Sequence, residues 1–266
     1  MRIIVHPGFH KTGTSSLQAC LAANRAALAE RLRLVLLDEL PAPVRCATRF
    51  AVGQDPLDLA AFTASFCETC EGLAETTVPA IVISCEGLSG RTPGKHGIID
   101  YAAALPLAQA MERGFQAVFG RSADVTFLYT TRARQPWLHS AWRHNLAGYR
   151  MTLDFDQFCA VYGKAADFAA ITDQIRRAVR RSKVVVTPLE TVLARPADAI
   201  LHLLELPGGW DEKMKNPGVK NTGISQGLAA VLLAINRSDV SDAEAKSQRA
   251  AAIAAGQDPN HATTSG

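Results

Sequence analysis

An apolar triplet, Ile3-Ile4-Val5, runs directly into His-Pro-Gly-Phe-His-Lys-Thr-Gly-Thr-Ser-Ser-Leu-Gln over residues 6–18. This is the pattern of a strand, a glycine-bearing turn and the start of a helix. It constrains the chain more than any other feature. Such a turn aims backbone N–H groups at a point in front of a helix N-terminus, where the dipole favours negative charge, so it forms an anion cradle. Gly8 and Gly13 supply the backbone conformations the turn needs. Lys11 adds a full positive charge, and Thr12, Thr14, Ser15 and Ser16 add hydroxyl donors.

The Gly8 to Gly13 spacing matches the front half of a Walker loop. Where that loop would continue with Lys-Ser/Thr, this chain has Thr14-Ser15, and its lysine lies inside the turn at Lys11. With the core Lys11-Thr12-Gly13-Thr14, a His-x-Gly start at His6 and a Ser-Leu-Gln finish at Gln18, the segment resembles the 5′-phosphosulfate loop of a known family. These are the sulfotransferases that use 3′-phosphoadenosine 5′-phosphosulfate (PAPS), and the likeness is greatest to the bacterial, carbohydrate-type branch. The resemblance implies a P-loop NTPase-like α/β fold, a three-layer sandwich about a mainly parallel sheet. It also implies that Gly8, His10, Lys11, Thr12, Gly13, Thr14 and Ser15 hold the donor. The product would be the 3′,5′-bisphosphate (PAP), and no metal is required.

A reader of PAPS needs a second anion site for the 3′-phosphate. Val125 to Thr131 alternates β-branched and aromatic residues and predicts a strand. It leads into Arg132-Ala-Arg134-Gln-Pro136, and Pro136 suits the first turn of a helix. An arginine at the strand end and Ser140 eight residues on resemble the family's 3′-phosphate motif. A guanidinium engages phosphate oxygens bidentately and the hydroxyl adds a donor. Ala133-Arg134 replaces the family's Asp-Pro, so Arg134 competes with Arg132. The spacing to Ser140 favours Arg132.

Sulfuryl transfer also needs a group to take the acceptor's proton. The apolar run Val78 to Ser84 predicts a strand buried on both faces and ends in Cys85-Glu86-Gly87. A carboxylate just past such a strand is well placed, and a Ser-x-Glu here resembles the bacterial branch, which assigns Glu86 as base. His10 beside Lys11 is the main rival, with His96 and His144 behind it and His6 shaping the turn. Lys11 would neutralise charge on the bridging oxygen as the S–O bond breaks. Lys220-Asn-Thr-Gly223 resembles the late segment that closes over the nucleotide. Trp137, Trp142 and Tyr149 fit packing at helical spacing better than stacking on a ligand.

The 266 residues, 48% hydrophobic and 20% charged, suit a single globular domain over residues 1–236. Ser241-x-x-Glu244 then predicts a short helix over 243–255, and Gln257 to Gly266 a disordered tail. A net charge of +3 suits an anionic ligand and lacks the clustered basicity of a nucleic-acid binder. No apolar stretch approaches the ~20 residues of a membrane span, and the first triplet is too short for a signal peptide. The expectation is a cytoplasmic protein. Alanine richness and the preference for arginine over lysine suit a GC-rich bacterial genome. Six scattered cysteines then stay reduced, and Cys67-x-x-Cys70 fits helix packing better than a metal or redox site.

Between these motifs, strands alternating with helices imply a parallel sheet whose ligands sit at the strands' carboxyl ends. Asn24 is expected to cap a second helix to about Leu32, with a strand at 34–37. Residues 38–54, with Pro41, Pro43 and Gly53, read as a loop. Residues 89–97 read as exposed, and Lys183 to Thr187 as a buried strand. Helices are expected near 55–75, 100–119, 136–147, 154–162 and 167–181, with another after Pro196 ending near Leu206-Pro207-Gly208. The leading function is PAPS-dependent sulfuryl transfer to a hydroxyl or amine of a carbohydrate or glycolipid. Its rivals are a divergent P-loop kinase or hydrolase and an inactive nucleotide-binding protein. Thr14 at the Walker lysine position, and no strand ending in a magnesium-holding Asp, weigh against the kinase.

Overall fold

The computed structural model describes residues 1–121, 123–205, 214–218 and 223–256. In chain order the elements are β1 (Arg2–His6), α1 (Thr14–Ala23), α2 (Arg25–Leu28), β2 (Leu32–Val35), α3 (Pro41–Gly53) and α4 (Pro56–Glu71). Next come β3 (Ala80–Ser84), α5 (Ala104–Phe119), β4 (Asp124–Thr131), α6 (Arg134–Gly148), α7 (Phe155–Tyr162) and α8 (Phe168–Ala178). The described chain closes with β5 (Lys183–Pro188), α9 (Leu189–Val192), α10 (Asp198–Leu204), α11 (Gln226–Arg237) and α12 (Asp242–Gly256).

The five strands form one sheet in the order β2-β3-β1-β4-β5, every pairing parallel. Side chains alternate across a strand, and here both faces are apolar because helices cover both. Ile3, Val5, Ile81, Ile83, Phe127 and Tyr129 feed a large core with α3, α4, α5, α6 and α8. Ile4, Val82 and Leu128 feed a smaller one with α1 and α10. The result is the expected α/β arrangement, with a central parallel sheet between two helical layers.

Several local expectations give way to the structure. Residues 38–54 are not a loop: a 3₁₀ turn at Leu37–Glu39 leads into α3. Pro41 and Pro43 stand in that helix's first turn, where a missing N–H costs nothing. Leu40, Ala47, Phe50 and Ala51 then bury one face at helical spacing. The second helix ends at Leu28, and Asn24 makes no side-chain cap for it. Instead the Asn24 amide donates to the Lys215 carbonyl at 2.7 Å and accepts from its N–H at 2.8 Å. The strand expected at 34–37 lies at Leu32–Val35. Strand β5 lies at one edge of the sheet, pairs with β4 among the described residues, and is only half-buried, whereas β2 at the other edge is largely buried.

Nor is the 89–97 segment exposed throughout: Ser89, Gly90, Thr92 and Pro93 are buried. The Asn145 amide on α6 donates to the Pro93 carbonyl at 3.0 Å. A Cβ on Gly94 would stand 2.5 Å from that same amide, so only glycine permits the approach.

Helix α12 forms as expected, its Glu244 N–H donating to Ser241 Oγ. It packs on α11 and α6, and Arg249 donates to Asn236 Oδ1 at 2.8 Å in the buried joint. Asn236 in turn donates to the carbonyls of Leu146, Tyr149 and Met151, where α6 ends. Gln257 to Gly266 and the Leu206-Pro207-Gly208 helix end lie outside the described residues. No helix among those described is long and apolar enough to cross a membrane.

Candidate functional site

The turn after β1 is braced from beneath by a chain of buried polar groups. His6, wholly buried, contacts Ser84 Oγ at 2.9 Å through Nδ1 and Thr130 Oγ1 at 3.1 Å through Nε2. It thereby ties together the carboxyl ends of β1, β3 and β4. Burial pushes its pKa down to about 4, so the ring is neutral at pH 7. Thr130 Oγ1 continues to Thr12 Oγ1 at 3.1 Å, which donates to the Phe9 carbonyl at 2.7 Å. Phe9 is fully buried against Tyr101, Tyr129 and Phe168, with ring centroids 4.8–5.1 Å away. Trp137 Nε1 on α6 donates to the His10 carbonyl at 2.9 Å.

The backbone of the turn takes unusual conformations: Gly8, Lys11 and Gly13 have φ of +56°, +68° and +89°. A Cβ on Gly8 would meet Thr14 Oγ1 at 2.9 Å, and one on Gly13 would meet Leu189 Cδ1 at 2.4 Å. Lys11 holds this conformation despite its Cβ, a local strain that buried bracing can sustain. Thr14 and Ser15 head α1, where helix geometry leaves N–H groups without intrahelical partners. The first turn of α1 carries no acidic residue to compete for them.

In front of this turn lies a cavity of about 1010 Å³. Lys11, Gly13, Thr14, Ser15 and Ser16 form one wall. Glu86 enters from the 3₁₀ turn after β3, and Arg132 from the end of β4. One face of α6 supplies Pro136, His139, Ser140, Arg143, His144 and Ala147 at helical spacing. Leu189, Leu193, Ile224 and Ile253 add apolar surface, Ile253 from α12.

The structure separates the two candidate arginines. Arg132 lines the cavity and its Nη1 donates to the Lys11 carbonyl at 3.3 Å. The Arg134 guanidinium lies instead over Gly163, where a Cβ would stand 2.7 Å from its Nη2. Lys11 and Arg132 are neighbours of like charge. Burial, and then Arg132 and Lys95, lower the Lys11 pKa, while Glu86 raises it. Gln18, the last residue of the opening motif, donates to Glu86 Oε2 at 3.0 Å and to the Ser84 carbonyl at 3.1 Å. That bridge fixes the carboxylate relative to β3.

Of the residues picked out in the sequence, Lys11, Gly13, Thr14, Ser15, Glu86, Arg132 and Ser140 meet around this cavity. Gly8, His10 and Thr12 do not line it. Thr12 is buried with its hydroxyl turned into the brace, and Gly8 shapes the turn. Burial first, then Lys95, His144, Arg91 and Lys11, push the His10 pKa down to about 3, so its imidazole takes up a proton poorly. Lys220 lies outside the described residues. Trp137 is buried and Trp142 Nε1 donates to the Leu153 carbonyl, so both serve packing. Cys70 is buried, and burial drives its thiol up to about 12. Phe9 and Arg143 carry no role in the sequence reading, and Gln18 enters it only as the end of a motif. For Arg143 the clue was its place three residues beyond Ser140 on one helix.

No protein-family model matches this chain, and no curated protein matches it at a significant level, so the functional case rests on the residues and their geometry.

Proposed function

We propose that the chain is a PAPS-dependent sulfotransferase acting on a hydroxyl or amine. The observation that carries this reading is the convergence of Lys11, Arg132, Ser140 and Glu86 on one cavity from four separate parts of the fold. The residues suit the donor's chemistry. Three cations, Lys11, Arg132 and Arg143, and three serines, Ser15, Ser16 and Ser140, line the cavity beside a glycine turn that a Cβ would obstruct. The cavity reaches the upper end of the roughly 300–1,000 Å³ usual for small-molecule sites, which leaves room for an acceptor beside a nucleotide.

When bound, PAPS supplies the sulfuryl group, whose bond to the bridging 5′-phosphate oxygen breaks as the acceptor's bond to sulfur forms. The turn amides and the Ser15 hydroxyl bind the 5′-phosphate, while the Thr14 hydroxyl donates to the Phe9 carbonyl at 3.3 Å and braces the turn. Arg132 and Ser140 bind the 3′-phosphate, the guanidinium bidentately. The Lys11 ammonium, held beside the turn, stabilises negative charge on the leaving oxygen. Glu86, oriented by Gln18, accepts the acceptor's proton. His10 is the weaker base, because burial first and then the nearby positive charges of Lys95, Arg91 and Lys11 resist its protonation.

The test is a pair of nucleotides against a pair of proteins. PAP and its 3′-dephospho analogue are titrated into the native chain and Arg132→Ala. The substitution should weaken PAP by about tenfold or more and leave the analogue nearly unchanged. Equal losses would remove Arg132 from the 3′-phosphate. Glu86→Gln should lower turnover and spare PAP affinity, whereas full turnover would pass the base role to a histidine.

A further inference from the structure

A second group of positive side chains gathers where the 91–95 segment meets α6, and the nucleotide scheme above does not use it. Lys95 Nζ lies 3.0 Å from His144 Nε2 and 4.3 Å from the centre of the Tyr149 ring. Arg91 Nη2 donates to the Tyr149 hydroxyl at 3.2 Å. His144 lines the same cavity as Lys11 and Glu86. These cations sense the donor-binding wall: Lys95 lowers the pKa of Lys11, and both lower that of His144 after burial has done so.

What they lack is a carboxylate. Some cations elsewhere in the chain have one, as in Arg49–Asp58, Lys183–Asp124 and Arg150–Asp242. Among the described residues none stands within ion-pair distance of Arg91, Lys95 or Arg143. Arg91 and Lys95 make do with a neutral imidazole and a phenol. Grouping like charges in a half-buried place opposes folding unless an anion comes to share it. The platform is also held in place. Pro93 is bonded to Asn145, and Gly94 is pressed on the same amide.

Resting on the sulfotransferase reading, we propose that Arg91, Lys95 and His144 form a subsite for an anionic group on the acceptor. The acceptor is then an acidic molecule, carrying a carboxylate or sulfate near the hydroxyl that is modified, and not a neutral alcohol. The nucleotide's own phosphates already have the turn, Arg132 and Ser140. Tyr149 serves as a positioning residue that keeps Arg91 and Lys95 together.

The test uses the full chain saturated with PAP and one oligosaccharide in three forms: uronate-bearing, carboxyl-reduced, and carboxyl-reduced then O-sulfated. Calorimetry should show an acidic form binding about tenfold or more tighter than the neutral one. The stronger acidic arm identifies carboxylate or sulfate as the natural group. The double variant Arg91→Gln/Lys95→Met should erase the preference while PAP affinity stays within about twofold, and Lys95→Arg should retain it. Equal binding of all three forms, binding by none, or a preference that survives the double variant would overturn the proposal. So would a large loss of PAP affinity in the double variant, which would assign these cations to the nucleotide. Failure of the native chain to bind PAP at all would instead defeat the sulfotransferase reading beneath it.

Discussion

The turn after β1 and the segment after β3 occupy neighbouring strand ends and border the same cavity, yet they are built in opposite ways. In the first, the proposed ligand contacts come chiefly from the backbone. Glycines at fixed positions shape it, Phe9 anchors it, and a run of buried hydrogen bonds through His6, Thr130 and Thr12 holds it from below. In the second, the backbone is a carrier. One buried amide, Asn145, clamps it to α6, and the proposed chemistry lies in the side chains of Glu86, Arg91 and Lys95. A loop that binds through N–H groups must fix its dihedrals. A loop that binds through long side chains needs only a fixed platform. The first therefore leaves a strict sequence pattern and the second does not.

The sharpest way to break this contrast is at Lys11, which places a formal charge inside the first turn. Lys11→Ala should reduce sulfuryl transfer by about 10²–10³-fold, the scale for losing one group that stabilises developing negative charge. Full activity measured by PAP release would remove the turn from the mechanism.

Backbone dependence comes next. Gly13→Ala places a Cβ 2.4 Å from Leu189 Cδ1 at φ +89° and should cost roughly 2–3 kcal/mol in chemical denaturation. Gly97→Ala, at φ +76° in open space, should cost only about 1 kcal/mol. Equal costs would mean that the turn is no more constrained than the carrier segment.

The brace beneath the turn has a pH signature. A histidine whose folded pKa is depressed leaves the unfolded state holding more protons, so stability rises with pH in that window. With His6 at about 4 in the fold and about 6.5 unfolded, its contribution is intact above pH 6.5 and is lost as pH falls towards 4. The loss should approach about 3 kcal/mol, and His6→Gln should flatten the profile over that range. A profile unchanged by the substitution would place His6 outside the brace.

Asn145→Ala, which strands a buried Pro93 carbonyl, should cost about 1–3 kcal/mol and weaken any acidic acceptor more than PAP. Smallest of all is Arg134→Ala, expected to leave PAP affinity within about twofold because that guanidinium rests over Gly163. A loss to match that of Arg132→Ala would reverse the choice between them.

The same contrast explains what could be read from the residues alone. Gly8 and Gly13 were legible because few residue types tolerate such backbone angles, and Lys11 because it places a positive charge inside the turn. The parallel sheet was legible from apolar runs alternating with helices. Helix α3 was missed because Pro41, Pro43 and Gly53 look like loop residues, although the prolines fit a first helical turn. The half-exposure of β5 was not legible, because its apolar run Val184-Val185-Val186 reads as buried and no local pattern records what packs against it. Arg91, Lys95 and Tyr149 come together only through the docking of one segment on α6, and Ile253 reaches the cavity only because α12 folds back on α11. Gln18 had been noted as part of a motif, but its bond to Glu86 spans 68 residues of sequence.

The proposed ligand of the cavity is a nucleotide carrying a 3′-phosphate and a 5′-phosphosulfate. The direct measurement is calorimetric titration of the chain with PAP in the absence of metal, set against ATP with magnesium. The structure and the sequence pattern together predict tight, metal-independent binding of PAP and weak binding of ATP–magnesium. Preference for ATP–magnesium would contradict the account and make the chain a divergent P-loop kinase or hydrolase.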